Sequence, residues 1–315
     1  MGAAPLRAVT DEEIEAFHRD GAVLVRQVLP PEWVDVAAAG LDEAIEEPDA
    51  LSSDLGTLRV DQFPAARAAG LRHLVEDSPI AEVVATALRS PVSFYMDQLF
   101  HKPAGLVPAT AWHQDTCYYN VDGHDLIRAW VSPDAVSRHL SLEVVRGSHR
   151  WNATYSPLAG RDPRDDPDAR AKLDASRDNE PMIGTDAFEG WSYWSSVQDA
   201  TLPPVPDIET NRDSFDIIGW DYEPGDVLLF HGHILHSALG GVVSQTGRRA
   251  HASLWAGRDV RYVHRRGQVI PDPMALYEHE PRTGQPLTDF PDVFPILFDP
   301  EDGLQVSRRA DQAPS

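Results

Sequence analysis

Residues 225–241 read GDVLLFHGHILHSALGG. Gly225-Asp226 is a turn pair, and the apolar run after it has the length of a strand. Three histidines follow, at 231, 233 and 236. The same texture occurs upstream in PVSFYMDQLFHKP (91–103), TAWHQDTCYY (110–119), DLIRAWVSP (125–133) and LSLEVVRG (140–147), and downstream in RRAHASLWAGRDVRYVHRR (248–266). Short β-rich runs broken by turn residues predict a mainly β barrel or jelly roll. Between the two blocks lies a charged, Pro-rich interruption, 159–216, containing RDPRDDPDARAKLDASRD. The β texture on both sides of it argues for one domain.

The N-terminal part, about 10–90, is expected to supply flanking helices. Thr10-Asp11-Glu12-Glu13 is a capping box, followed at helical spacing by Ile14 and Phe17, and the helix should stop near Asp20-Gly21. AVLVRQVL (22–29) reads as a strand. Residues 31–47 carry an amphipathic pattern, and Ser78-Pro79 opens a helix to about Leu88. The organisation expected is thus a single domain over 1–315. Its β core is 91–158 and 217–266, its inserted segment 159–216, and its C-terminal tail 267–315. Loops as long as the insertion are commonly lids or disordered excursions, and Trp191 and Trp194 favour some packing.

Composition narrows the class. The 315 residues carry a net charge of -23, which argues against nucleic acid or an anionic membrane surface as partner. The single cysteine, Cys117, rules out an internal disulfide framework and a cysteine-based zinc cluster. No signal peptide and no apolar run of membrane-spanning length are visible, so a cytoplasmic location is expected.

His113-Gln114-Asp115 is the most chemically specific triplet. If it lies on a strand, residues two apart share a face, and an imidazole and a carboxylate stand side by side. That is two thirds of a 2-His-1-carboxylate triad, which leaves open positions on an iron(II) ion. A second triplet, His18-Arg19-Asp20, falls at a helix end, where its side chains diverge by about 200° and cannot converge on one ion. The third ligand should come from a later strand. His231, His233 and His236 are the candidates, and periodicity alone does not choose among them.

In order and spacing, these motifs resemble the phytanoyl-CoA dioxygenase family of Fe(II)/2-oxoglutarate oxygenases. The shared elements are Phe17-His18-Arg19-Asp20-Gly21, Lys102-Pro103, Trp112-His113-Gln114-Asp115, Arg146-Gly147-Ser148-His149, Gly225-Asp226 with His236, and Arg248-Arg249. The likeness spans roughly residues 10–265. It implies a double-stranded β-helix (cupin-like) core and His113, Asp115 and His236 as catalytic metal ligands. It implies Fe(II), 2-oxoglutarate and O2 as cofactor and cosubstrates, and an arginine holding the far 2-oxoglutarate carboxylate. The chain departs from the family in the long 159–216 segment and in having Ala238 where a cosubstrate-contacting hydroxyl often stands.

Of the two adjacent arginines, Arg249 is expected to face the cosubstrate. Strand alternation groups it with His251, Ser253 and Trp255, a polar face suited to a wet barrel mouth, and Ser253 could share the carboxylate. The resemblance adds Gln98, Trp130 and Lys102 as cosubstrate contacts. Tyr118, Trp191 and Trp194 are candidate substrate walls. The implied reaction is hydroxylation, or a desaturating or ring-forming variant, of a natural-product-type small molecule, with release of succinate and CO2. Asp115 argues against halogenation, because related halogenases carry a small residue there. Two rival readings are a cupin-like metalloenzyme that does not use 2-oxoglutarate and a non-catalytic β-barrel interaction protein.

Overall fold

A computed structural model describes residues 3–54, 56–107, 109–155, 202–240, 242–264, 270–280 and 282–301. The chain begins with helix α1 (Asp11–Asp20), strand β1 (Ala22–Val25) and helix α2 (Pro31–Glu46). The capping box that starts α1 is formed: the Glu13 amide donates to Thr10 Oγ1, and the Thr10 amide donates to the Glu13 carboxylate. Gly21 stops α1 in the left-handed region, at φ 83°. Strands β2 (Ser52–Asp54) and β3 (Arg59–Gln62) follow, then helices α3 (Ala69–Asp77) and α4 (Ile80–Leu88). The Ser78 hydroxyl accepts the Ile80 amide, so Ser78-Pro79 does open α4.

The β core comprises β4 (Val92–Lys102), β5 (Gly105–Val107), β6 (Thr110–His113), β7 (Val121–Asp122), β8 (Leu126–Val131), β9 (Leu142–Val145), β10 (Ile217–Gly219), β11 (Val227–His231), β12 (His236–Ala238), β13 (Val242–Ser244), β14 (Arg248–Ala256) and β15 (Arg261–Tyr262). A short helix α5 (Pro273–Leu276) and strand β16 (Ile296–Phe298) come from the tail. The large sheet runs β1-β11-β8-β14-β4-β3-β2, with β16 also on β4, and the small sheet runs β10-β9-β12-β6. All pairings are antiparallel. Two facing antiparallel sheets make the double-stranded β-helix.

Alternation gives the large sheet two different faces. Ile127, Ala129, Val131, Val227, Leu229 and Trp255 pack against Phe17, Trp33, Leu41, Leu71 and Val84 of the helices. Leu228 and Phe230 face the small sheet and meet Leu142, Val144 and Ala238 there. Beside that packed end, Gln98, Phe100, Lys102, Arg128, Trp130, Arg248 and Ala250 line a cavity between the sheets.

The N-terminal part is less purely helical than its periodicity predicts. Strand β3 (RVDQ) has no apolar alternation. Its buried Arg59 and Asp61 instead satisfy one another through paired hydrogen bonds of 2.9 and 3.0 Å. The tail contributes β16 to the same sheet. The return limb of the 159–216 segment packs outside the small sheet, where Val205 and Ile208 are buried against Trp112, Val145 and Leu235. Residues 159–201, including Trp191 and Trp194, lie outside the described residues. Among the described residues, no helix is long and apolar enough to cross a membrane.

Candidate metal centre and its cavity

The ladder between β6 and β12 brings the centre together. His113, the last residue of β6, pairs directly with His236, the first of β12, and the imidazole centroids are 4.1 Å apart. Asp115 is not on a strand, contrary to the same-face argument. Its backbone has turned into helical space (φ -75°, ψ -35°) at the head of a 3-10 turn, Thr116–Tyr118. Amides of Asp115 and Thr116 both donate to the Gly232 carbonyl, at 3.1 and 3.2 Å, tying this turn to the β11–β12 connection. Gln114 completes the tie. Its amide nitrogen donates to the carbonyls of His233 and Ala153, and its oxygen accepts the Tyr155 amide. The carboxylate is thus brought beside the histidines by a turn.

His113 Nδ1 lies 2.8 Å from the Ala111 carbonyl, and His236 Nδ1 lies 3.2 Å from the Ile234 carbonyl. Each Nδ1 therefore carries the proton, and each Nε2 lone pair is directed away from the backbone. Asp115 Oδ1 is 3.7 Å from His113 Nε2 and 3.6 Å from His236 Nε2. Ligand atoms of the three residues lie within 4.8 Å of one another, and among the described residues no other such group of three occurs. Two neutral imidazoles and one carboxylate on one side of an ion are a donor set suited to iron(II).

Electrostatics keep the donors in their binding forms. Burial pushes His236 down to about 3, with His113 adding to the effect. Burial also lowers His113, against the pull of Asp115. For Asp115, burial acts to raise the pKa. The Arg128 guanidinium and the two imidazoles outweigh it and hold the carboxyl below its ordinary value. Arg128, which sequence reasoning missed, reads in DLIRAWV as an ordinary strand residue; only the register shows it pointing inward.

His231 and His233 are elsewhere. The His233 amide donates to His231 Nδ1, and His231 Nε2 approaches His124 Nδ1 at 3.4 Å. His233 bonds through its ring to the Gly123 carbonyl and Thr116. His18 and Asp20 do not converge on a site either. The His18 carbonyl accepts from His149, and the Asp20 carbonyl accepts the Gly147 amide.

The alternation along β14 follows the expected grouping, but its assignment to inside and outside is inverted. The face carrying Arg248 and Ala250 lines the cavity, and Ala252, opposite Gln98 and Trp130, lies on that side. On the other side His251 Nε2 donates to Asp97 Oδ2 at 2.9 Å. Ser253 accepts from Trp255 at 2.8 Å within the helix-facing core. Arg249 reaches the cavity edge, but its guanidinium is held by Asp134 through two contacts, at 2.8 and 3.2 Å, and by Asp42 at 2.5 Å. The polar side chains suggested a wet pocket; they are polar because they satisfy one another inside the fold. Arg248 makes no ion pair among the described residues, and burial lowers its pKa to about 10. Lys102, its ladder partner, is pushed down to about 7 by burial, with Arg248 contributing.

Of the other expected contacts, Gln98, Trp130, Lys102 and Tyr118 line the cavity. Trp130 packs on Phe100 with centroids 5.0 Å apart, and Tyr118 meets the His113 ring edge to face at 5.8 Å. Ala238 faces the cavity, while the neighbouring Ser237 hydroxyl points away and donates to Glu143. Tyr222, unforeseen from sequence, is buried on the cavity wall near Arg248.

A double-stranded β-helix with a His-Asp-His centre in its mouth is an arrangement suited to a non-haem iron oxygenase. Residues 17–250 match the phytanoyl-CoA dioxygenase (PhyH) family model, and the chain belongs to that family. No curated protein sequence matches it. Among solved structures it resembles the non-haem alpha-ketoglutarate-dependent epimerase SnoN from nogalamycin biosynthesis, at 18% identity and TM-score 0.63 over 94% of this chain and 98% of that one. It also resembles the carbocyclase SnoK from the same biosynthesis (18% identity, TM-score 0.61, 91% and 96% covered). A third is EctD from S. alaskensis (17% identity, TM-score 0.56, 82% and 84% covered). At these identities the likeness speaks for the fold.

Proposed function

We propose that this protein uses iron(II), 2-oxoglutarate and O2 to hydroxylate a small, largely apolar, natural-product-type molecule, with succinate and CO2 as coproducts. His113, Asp115 and His236 would hold the iron, which supplies Lewis acidity and oxygen activation. The observation that carries the reading is Arg248. It is a half-buried guanidinium without an acidic partner among the described residues, in the same cavity as the metal donors. A half-buried, unpaired cation of this kind is suited to a carboxylate delivered by a ligand. We assign to it, in place of Arg249, the far carboxylate of 2-oxoglutarate, with Lys102 and the Tyr222 phenol beside it. Trp130 and Phe100 would wall the carbon chain.

Leu58, Ala111, Tyr118 and Ile270 supply apolar wall to the remaining cavity, which supports an apolar substrate face. The described elements are read as one oxygenase domain, because β1–β3 and β16 share a sheet with the β core. A reducing cytoplasm suits the one cysteine, whose buried thiol donates to the Gln114 carbonyl. The test is succinate formation from 2-oxoglutarate with Fe(II), screened over apolar polycyclic and aliphatic compounds. Fe(II)-dependent succinate stimulated by a subset of compounds is expected. Succinate formation that is independent of Fe(II), or none under any condition, would overturn the reading.

A further inference from the structure

We propose that Arg128 is the positioning residue that restricts Asp115 to a single metal-binding oxygen and so keeps a coordination position available to 2-oxoglutarate. The inference rests on the function proposed above. Arg128 stands mid-strand in β8 between Phe230 and Leu254, with its side chain 4% exposed. Its Nε donates to Asp115 Oδ2 at 2.8 Å, the oxygen turned away from the histidines. Its Nη1 donates to the Ala252 carbonyl at 3.0 Å, and its Nη2 contacts Gln98 Oε1 and the Tyr119 hydroxyl. Gln98 is itself fixed, its amide nitrogen donating to Gln62 at 2.9 Å. A line of buried groups thus runs from β3 through β4 and β8 to the carboxylate. Gln98, expected to touch the cosubstrate, has its carbonyl engaged in this line.

The coordination arithmetic gives the line its consequence. Two imidazoles and one carboxylate oxygen leave three positions of an octahedral ion, two of them for a chelating 2-oxo acid and one for O2. If Asp115 chelated through both oxygens, one of the three would be lost. A carboxylate whose second oxygen accepts a buried, charge-assisted hydrogen bond is held to one-oxygen binding. Stability alone gives a weak reason for an arginine here. Two buried charges gain little over an apolar pair of the same volume.

The test uses Co(II) as an oxygen-stable probe in wild type, R128M and R128K. X-ray absorption reads one-oxygen against two-oxygen carboxylate binding, titration reads Co(II) stoichiometry and 2-oxoglutarate affinity, and a melting curve reports folding. Wild type is expected to bind Co(II) through one carboxylate oxygen and to bind 2-oxoglutarate. R128M should keep Co(II), show the two-oxygen signature and bind 2-oxoglutarate at least about tenfold more weakly. R128K has one nitrogen for four partners and should fall in between; it decides the matter if R128M does not fold. A purely structural arginine would lower the melting temperature and leave binding mode and affinity unchanged. That result in R128M, or wild-type 2-oxoglutarate affinity in R128K, overturns the inference alone. A wild-type protein that binds no Co(II) or no 2-oxoglutarate overturns the proposed function and this inference with it.

Discussion

Arg248 and Arg249 are adjacent in the chain and opposite in environment. Removing Arg248 would strand a buried carboxylate of the bound cosubstrate, a loss of a few kcal/mol. At ~1.4 kcal/mol per decade, Arg248→Ala should raise the 2-oxoglutarate KM by about a hundredfold. Arg249→Ala breaks its ion pairs with Asp42 and Asp134 at the cavity edge and should change it by less than about threefold. Steady-state kinetics in varied 2-oxoglutarate separates them, and the reverse ranking would refute the assignment. That His113, Asp115 and His236 come together was legible because motif order restricts them strongly. Which arginine's face is turned to the cavity was not, because alternation gives which residues share a face and not which face is inward. That depended on Asp42, Asp97 and Asp134 lying outside the cavity to receive Arg249 and His251, which no local pattern reports.

At the scale of elements, helices α2 and α3 are fixed against each other by one close crossing. A Cβ on Gly40 of α2 would lie 2.6 Å from the Leu71 backbone nitrogen, and one on Gly70 of α3 would lie 2.8 Å from Gly40 Cα. The two glycines let the helices touch backbone to backbone. Gly40→Ala should therefore destabilise by about 1–3 kcal/mol, despite alanine's better helix propensity. Denaturant unfolding measures it, and an unchanged or raised midpoint would show that the crossing has slack. Helices α1, α2 and α4 were readable from capping and periodicity. Strands β2, β3 and β16 were not, since each is short and acquires strand character only by pairing within the large sheet.

For the whole molecule, the histidines set the response to acid. His113, His149, His231, His233 and His236 all have lowered pKa values, chiefly through burial, with His149 at about 4 and His236 at about 3. In the unfolded chain each would take up its proton near 6.5. The unfolded state therefore binds more protons below that pH, and stability falls as pH drops from about 6.5 toward 4, by up to ~1.4 kcal/mol per pH unit per group. His124, raised mainly by Asp125, works in the opposite direction. Melting temperature of the metal-free protein, followed from pH 7.5 to 4.5, should decline steadily below about 6.5; a flat profile would contradict the burial of these rings. The iron centre proposed for His113, Asp115 and His236 would receive 2-oxoglutarate. Its most direct test is anaerobic titration with Fe(II) and then 2-oxoglutarate, followed by the visible metal-to-ligand charge-transfer band. One Fe(II) per chain is expected, with a band that requires both additions. H236A should lose Fe(II) affinity by more than the ~10–100-fold cost of removing an outer partner, while H231A and H233A retain it. Absence of the band in wild type, or its survival at full strength in H236A, would contradict the account.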